Sequence, residues 1–572
     1  QAAIIDAALS SAADAVHPGF GFLAENAEFA QAVIDAGFTW IGPTPAVIAQ
    51  MGSKIRAREI AQAAGVPLIP GYVDSQDDAD LAAAAERIGF PVLVKASAGG
   101  GGKGIRIARS TGDFAEALNG ARAESDRSFG DTDVMVERYI EQPRHIEVQV
   151  IGDKHGNAFH LGTRECSIQR RYQKLFEEAP APNLPDITRS GLLEAAVKLA
   201  KAVDYDSAGT VEFIVDDETG DYFFLEMNTR LQVEHPVTEE VTGLDLVELM
   251  LTAARGEALA DLSNVAFVGH SLEARITAED AAGGFVPAAG VVSALDVPQG
   301  VRWESALAIG TEVTPEYDAM IAKLVVTGAD RAEALAAMRF ALDHLILAGV
   351  RTTAGFHRWL IDQQPVVDGR VTTRFLDEVE LPSAPEPRVE AAARMFELLE
   401  RNAGESVWSD LGGFTLTPHG AAAVVSFVDD DGAVHEVRVE RADALEQAPA
   451  DGWTGDATTG VLAFAVQGHT QSFGRIDRSE AWAPSSADRA GSGNALSAPF
   501  PAAVAEVHVA PGDSVEGGQV LVVIEAMKML HSLKADGAAT VDQVLVAPGD
   551  QVTGGQPLVT FATDSDSGED PS

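Results

Sequence analysis

Cysteine is almost missing from this chain: Cys166 is the only one in 572 residues. That excludes an internal disulfide and fits a reducing compartment, read here as the cytoplasm, with the mitochondrial matrix kept open. The thiol itself is read as a small buried hydrophobe. Basic residues are also scarce, 41 Lys and Arg against 86 Asp and Glu, and the net charge of −45 repels nucleic acid, which is set aside as a partner. No apolar run reaches the roughly 18 residues of a membrane-spanning helix, so no membrane partner is expected. A signal peptide is lacking too. The chain opens on Gln1 rather than Met, and on a helical Ala2–Leu9 stretch where a doubly wound α/β domain normally opens on a strand. The start therefore reads as truncated, and any targeting segment would be lost with it. What is present suffices for well-filled cores: hydrophobic residues make up 46%, and the length suits roughly three to five domains.

The C-terminal stretch repeats itself. Val509-Ala510-Pro511-Gly512-Asp513-Ser514-Val515 returns as Val546-Ala547-Pro548-Gly549-Asp550-Gln551-Val552, and each copy runs on through Gly-Gly-Gln into a β-rich segment, Val520–Ile524 and Leu558–Phe561. Two strand–turn–strand copies predict a small sheet structure with an internal two-fold. Lys528 lies near the midpoint of the copies, on the hairpin that should join them. A lone turn lysine is ordinarily just solvated, but two flanking methionines are of little use to an exposed tip. Ala526-Met527-Lys528-Met529 between duplicated β halves resembles the biotinyl carrier domains of biotin-dependent carboxylases. Lipoyl domains share that fold, but their lysine usually follows an acidic residue.

Earlier in the chain, helix–strand alternation over 1–68 gives way to strands around one glycine cluster. Phe90–Ala96 reads as β, Gly99-Gly100-Gly101-Gly102-Lys103-Gly104 follows, and Ile105–Ala108 is β again. No Ser or Thr follows the lysine and no helix follows the glycines, so this is not a P-loop. A glycine loop between strands is instead a flap whose N–H groups can close over phosphates, with Lys95 as a point charge. Val211–Val215 and Tyr222–Asn228 predict a hairpin that brings Glu212 opposite Glu226. If the second strand stays extended, Glu226, Asn228, Arg230, Gln232 and Glu234 share one face. Oxygen ligands on two carboxylates and an amide suit Mg²⁺ held against phosphates, hence Glu212, Glu226 and Asn228. His145, Glu147 and Gln149, and Glu273 with Arg275, alternate with apolar residues in the same way. A solvated polar sheet face is the plain alternative; several strands aiming polar groups one way favour an active-site floor.

His17-Pro18-Gly19-Phe20-Gly21-Phe22-Leu23, Lys95-Ala96 with the flap, Gln169-Arg170-Arg171 through Lys174, Glu226 through Pro236, and Arg275-Ile276 with Ala278-Glu279-Asp280 together resemble an ATP-grasp biotin carboxylase. The match spans roughly residues 1 to 380, and with the carrier the chain resembles the α subunit of an acyl-CoA carboxylase. The family's opening strand and glycine-rich turn are absent, and Tyr172 stands where many members have histidine. The resemblance implies ligase activity, joining bicarbonate to biotin at the expense of ATP. It implies phosphate binding by Lys54, Lys95 and Gly99, Gly100, Gly101, Gly102 and Gly104, with a nucleotide hinge at Glu137, Tyr139 and Ile140 and further ATP contacts from His145 and Gln169. Mg²⁺ (or Mn²⁺) would rest on Glu212, Glu226 and Asn228. Lys174, Arg230 and the Val233 backbone would orient bicarbonate, Glu234 would be the base, and Arg275 would stabilise the biotin enolate. Biotin would be carried on Lys528.

The expected fold class is accordingly α/β and α+β multidomain. The division runs 1–68 (partial N-terminal domain), 69–140 (lid), 141–381 (C-terminal domain of the carboxylase), 382–483 (subunit-contacting helix and small antiparallel β-barrel), 484–496 (linker), 497–563 (all-β biotinyl, lipoyl-like carrier) and 564–572 (acidic tail, expected disordered). A carboxyltransferase β subunit, a biotin protein ligase and further copies of the chain are the expected partners. An ATP-grasp carboxylate–amine ligase and a non-catalytic biotinyl carrier remain as alternatives.

Overall fold

The computed structural model describes residues 1–72, 74–96, 105–129, 132–171, 173–402, 423–430, 432–439, 453–456, 461–476, 495–527 and 529–562. The glycine flap (Gly99 to Gly104), Tyr172, Lys528, the 484–494 linker and the 564–572 tail lie outside them. The chain forms two compact units. One comprises Gln1–Glu273, Thr327–Ala334 and Pro365–Val379; the other comprises Ala274–Val326, Leu335–Gln364 and Glu380–Ser572. No helix among the described residues is long and apolar enough to cross a membrane.

In the first unit, helix Ala2–Ser10 precedes a parallel pair, Ala15–Val16 beside Thr39–Trp40. Helix Ala27–Asp35 crosses between them, its N-terminus capped by Asn26, whose Oδ1 accepts from Phe29 N at 2.7 Å. Phe29 and Trp40 meet edge to face at 5.8 Å in a core with Val33 and Ile48. Thr44 and Ser53 cap the next two helices, Pro45–Gly52 and Lys54–Ala63, and Gly65, at φ 74°, follows the second in the left-handed conformation that ends it. A four-stranded sheet comes next, in the order Gly71–Tyr72, Val134–Arg138, Val92–Ala96, Ile105–Ala108, backed by helices Asp78–Ile88 and Thr111–Phe129.

The unit's largest antiparallel layer runs Tyr222–Asn228, Ala208–Asp216, Pro143–Gly152, Ala158–Arg170, Gln173–Ala179. Ile146, Val148, Val150, Val211 and Phe213 bury one face against helix Asp186–Ala202 through Leu192, Ala196 and Leu199. Strand alternation leaves His145, Glu147, Gln149, Thr210 and Glu212 on the other. The hairpin register is as expected, Glu212 facing Glu226. The extended run is not: the strand stops at Asn228, and helix His235–Thr242 starts with Glu234 at its N-cap position. Thr229 N bonds the Glu25 carboxylate at 3.1 Å rather than a neighbouring strand, so residues 229–234 have no ladder to keep them extended.

In the second unit, helix Val389–Asn402 packs Ala392, Met395 and Phe396 onto a five-stranded antiparallel sheet holding Phe427, Phe464 and Phe473. The tight turn in its hairpin is Gln467–Gly468, both left-handed, and His469 belongs to the strand His469–Arg475. The segment 495–562 consists of two four-stranded sheets around Val504, Leu521, Ile524, Val541 and Leu558. Its halves repeat atom for atom at the turns. Asp513 and Asp550 each accept from an alanine N–H, of Ala510 and Ala547, at 2.8 Å, and Gly512 and Gly549 turn at φ 92° and 95°. Strands Val520–Ala526 and Met529–Lys534 pair up to Ala526 opposite Met529, and Met527 follows the first of them in a turn. Met527 is buried, in keeping with the sequence argument that flanking methionines are of little use to an exposed tip.

A Cβ at Gly549 meets nothing within 4 Å, so only the backbone opposes substitution there. Gly549→Ala is expected to destabilise the carrier by about 1–3 kcal/mol, and Gly549→Asn by less because asparagine tolerates positive φ. Calorimetry of the full chain reads this directly; an Ala variant melting like the native protein would show that the turn does not need its left-handed residue.

Candidate functional site

Across four neighbouring strands of the first unit, Glu226, Glu212, Glu147 and Arg164 stand directly opposite one another. Opposed like charges destabilise a sheet, and buried carboxylates without counter-charge cost far more. Two cations resolve this. Lys174 Nζ lies 2.6 Å from Glu147 Oε2, 2.6 Å from Glu234 Oε1 and 2.9 Å from Glu212 Oε1. Arg164, fully buried, pairs with Glu147 and donates to Gln149 Oε1 at 2.7 Å, Thr238 Oγ1 at 2.8 Å and Thr210 Oγ1 at 3.0 Å. Lys174 reaches the cluster because Gln173–Ala179 pairs with Ala158–Arg170, setting it beside Gln169. Glu234 makes no side-chain cap bond to its own helix, and its carboxylate turns to Lys174 instead.

Around Glu212 the donors are numerous. His145 Nε2 lies 2.9 Å from Oε2, while Asn228 Nδ2 at 2.9 Å and Gln232 Nε2 at 3.2 Å donate to Oε1 beside Lys174. Arg230 ties the loop together: Nη1 to Gln232 Oε1 at 2.6 Å, Nη2 to Asn228 Oδ1 at 3.1 Å and Nε to Glu25 Oε2 at 2.9 Å. The loop thus does by hydrogen bonding what an extended strand was expected to do by alternation. Burial alone would push Glu212 up, but Lys174 and His145 hold it well below the ordinary carboxylate range. Burial opposes charge on Lys174 and His145 as well, and the surrounding carboxylates outweigh it, raising both.

Two groups of metal-type ligands occur among the described residues, His145 with Glu147 and Glu212, and Glu147 with Cys166 and Glu234. Lys174 already bridges the first, and Lys174 with Arg164 neutralises the second. The Glu212, Glu226, Asn228 set differs. Glu226 is exposed as a residue, yet crowding of its carboxyl and then the facing Glu212 charge push it up. A cation between the two carboxylates would relieve that repulsion, and the all-oxygen donors suit a hard divalent ion, which would compete with Arg230 for Asn228 Oδ1.

The remaining expected residues are dispersed. Lys95 Nζ is 2.5 Å from Glu137 Oε2, and Arg58 lies 3.5 Å from the other carboxylate oxygen, so the Glu137 side chain is engaged in ion pairs. Tyr139 N donates to Pro91 O at 3.0 Å, its hydroxyl accepts from Arg374 at 3.3 Å, and Ile140 is buried with Ile69 and Phe223. Lys54 is exposed at the first position of its helix, and Val233 is half-buried. Arg275 belongs to the second unit, where its carbonyl accepts from Thr353 Oγ1 at 3.1 Å and His357 Nε2 at 2.7 Å. Burial pushes His357 down to about 4, consistent with a neutral ring donating there. The sequence reading passed over Arg164, Glu25 and Arg58, and it noted Glu147 and Gln149 without assigning them a role. Arg164 follows two residues after Gly162 in a long strand whose polar alternation was the available signal; Glu25 and Arg58 lie far from their partners in sequence and left none.

Four family models match: "Biotin carboxylase, N-terminal domain" over residues 1–48, "Carbamoyl-phosphate synthase L chain, ATP binding domain" over 53–262, "Biotin carboxylase C-terminal domain" over 273–378 and "Biotin-requiring enzyme" over 494–561. The biotin-dependent acyl-coenzyme A carboxylase alpha3 subunit of Mycobacterium leprae is 40% identical over 93% of this chain and 83% of its own length. The mitochondrial methylcrotonoyl-CoA carboxylase subunit alpha of Arabidopsis thaliana is 48% identical over 65% of the chain, which spans 52% of that relative, about half its length. Among solved structures, the biotin carboxylase domain of Hydrogenobacter thermophilus 2-oxoglutarate carboxylase, in complex with MgADP, ADP and bicarbonate, superposes with a TM-score of 0.59 at 46% identity, covering 66% of this chain and 84% of that one.

Removing the Lys174 charge takes a shared counter-ion from three buried carboxylates, leaving Glu147 to Arg164 and Glu212 to His145. Lys174→Met is expected to cost about 3–5 kcal/mol at neutral pH. The sign with pH follows from linkage: in the variant the carboxylates that lose this counter-charge bind protons more tightly folded than unfolded, so stability falls as pH rises from their unfolded values to their raised folded ones. In the native chain the lowered Glu212 gives the opposite slope, stability present above its unfolded value of 4.5 and lost as pH falls toward its folded one. Urea melts at pH 5 and pH 7 should therefore show the variant closer to native at pH 5; an equal deficit at both would sink the assignment of Lys174 as the counter-ion.

Proposed function

The chain belongs to the α-subunit family of biotin-dependent acyl-CoA carboxylases, and on that premise we propose that it catalyses the ATP- and bicarbonate-dependent carboxylation of its own carrier-bound biotin. The observation that carries this reading is Lys174, held among Glu147, Glu212 and Glu234 on the polar face of the first unit's sheet. Arg230 reaches the same carboxylate, Glu212, through Asn228 and Gln232, and the two cations are the groups that would hold one small anion when a carboxylate partner gives way to it. Glu234, the carboxylate nearest the loop, takes the bicarbonate proton; the resulting oxyanion attacks the γ-phosphorus of ATP, ADP leaves, and carboxyphosphate forms. Lys174, Arg230 and the Val233 backbone orient the anion. Lys54, Lys95 and the Gly99–Gly104 flap hold the phosphates; His145, Gln169, Glu137, Tyr139 and Ile140 complete the nucleotide contacts. Glu212, Glu226 and Asn228 would hold Mg²⁺, which supplies charge neutralisation on the phosphates. Biotin, amide-linked to Lys528, supplies the nitrogen that accepts the carboxyl group, and Arg275 faces the negative charge that develops during transfer.

The same proposal covers the chain's surroundings: the division into segments given above, a cytoplasmic location, a carboxyltransferase β subunit for the acyl-CoA half-reaction, a biotin protein ligase for Lys528, and assembly with further copies. After residue 380, about a hundred residues precede the carrier linker, too few for an acyl-transfer domain and a docking domain together.

Glu234→Gln keeps the shape and removes the base. Biotin-dependent ATP cleavage should fall about 10²–10⁴-fold with nucleotide affinity little changed; a near-native rate would place the base elsewhere. Lys528→Arg keeps the charge but should abolish avidin binding while ATP cleavage with free biotin survives. Native chain without bound biotin would favour the carboxylate–amine ligase alternative, and bound biotin without bicarbonate-dependent ADP release would favour a bare carrier.

A further inference from the structure

Helix Ala354–Leu360 starts from Thr353, the position at which a threonine hydroxyl ordinarily accepts a bond from its own helix. Thr353 makes no such bond. Its hydroxyl turns instead to the strand His270–Thr277, donating to Arg275 O at 3.1 Å and accepting from Thr277 N at 2.9 Å. Its backbone N–H donates to Thr277 O at 3.1 Å. One turn along, on the same helix face, His357 Nε2 lies 2.7 Å from that same Arg275 carbonyl. Both side chains are fully buried. Burial pushes His357 down to about 4, so the ring is neutral near pH 7 and has one N–H to give. It gives it to Arg275. Two side-chain donors thus take both lone pairs of a single carbonyl.

The helix that supplies them is anchored without help from the strand. Phe356 meets Phe285 edge to face at 5.2 Å, and Leu360 is buried. On another side the His469 ring fills the space that a Cβ at Gly355 would need. All of these residues share the compact unit that holds Arg275. Fixing a carbonyl fixes its peptide plane, and with it the ψ of Arg275 and the direction in which its side chain leaves the strand. A guanidinium stands at the end of a long side chain, so a small error at the backbone becomes a larger one at the tip. Misplacement by about 1 Å at a reacting centre costs about 10²-fold in rate.

Resting on the carboxylase reading, we infer that Thr353 and His357 are positioning residues for Arg275. Their shared hold on its carbonyl sets the backbone from which the guanidinium meets the charge developing on biotin. Neither residue touches the substrate; each acts through Arg275.

The test uses the full chain, with a urea melt recorded for every variant. Removing one donor leaves the other on the carbonyl, so single variants remain folded. Thr353→Val and His357→Leu remove a donor; Thr353→Ser and His357→Gln keep one. Each is assayed for transfer of labelled bicarbonate to free biotin, and for bicarbonate-dependent ATP cleavage without biotin, in which Arg275 has no assigned part. The first pair should lower kcat for free biotin by roughly 10- to 100-fold, with ATP cleavage changed less than two-fold, and the second pair should regain most of the rate. Repeated with Arg275→Ala, Thr353→Val and His357→Leu should cost nothing further, because residues acting through one group are not additive. Losses that add to that of Arg275→Ala overturn the proposal, as do equal losses in both reactions or biotin rates within two-fold of native in both donor-removing variants. Near-native transfer by Arg275→Ala alone overturns the role of Arg275, and the proposal with it, while leaving the carboxylase reading intact. A native chain that puts no label into biotin overturns that reading itself.

Discussion

A single ammonium group fixes the chemistry of the first unit. Sheet geometry places Glu226, Glu212 and Glu147 side by side, and Glu234 converges on them from the start of a helix. Three of these carboxylates share Lys174. With desolvation opposing every one of these charges, the arrangement stands because those three carboxylates find a cation. Arg164 extends the same logic one strand further, tying Glu147 to Gln149, Thr210 and Thr238. The cluster therefore joins four strands and a helix through charge-assisted bonds, and its members cannot be reoriented one at a time.

The carrier obeys a different constraint. It repeats a sequence because it repeats a turn: each Asp side chain closes the loop ahead of it, and each glycine takes a backbone conformation unfavourable for other residues. At the join of the halves the pattern departs from that chemistry. Met527 there adopts φ 49°, a left-handed backbone that glycine and asparagine take more readily. Local propensity is overridden at Met527, the residue before the lysine proposed to carry biotin, as is typical of functional sites.

Much was legible in the sequence, and for physical reasons. Alternation with period two located the strands carrying His145, Glu147, Glu212 and Glu226, because a pleated strand forces neighbours to opposite faces. Hairpin length put Glu212 opposite Glu226, because a six-residue connection between well-marked strands leaves little choice of register. The duplicated Pro-Gly-Asp turns announced the carrier, since only a few residues fit such turns.

What the sequence left open depended on partners distant along the chain. The strand through Asn228 was expected to run on to Glu234, and it ends because Glu25, some two hundred residues upstream, captures Thr229 and Arg230. Alternation carries no information about where a ladder runs out of neighbours. Lys174 could be named from its motif, but that it neutralises three carboxylates at once is a property of strand order, which brings Gln173–Ala179, Pro143–Gly152 and Ala208–Asp216 into one sheet. What covers Met527 was likewise invisible: the sequence marks a turn, and a turn is exposed unless another surface covers it. The local pattern determined which residues could do chemistry; the tertiary structure decided which charges meet, because electrostatic neutralisation in a buried site depends on distance in space and not on spacing along the chain.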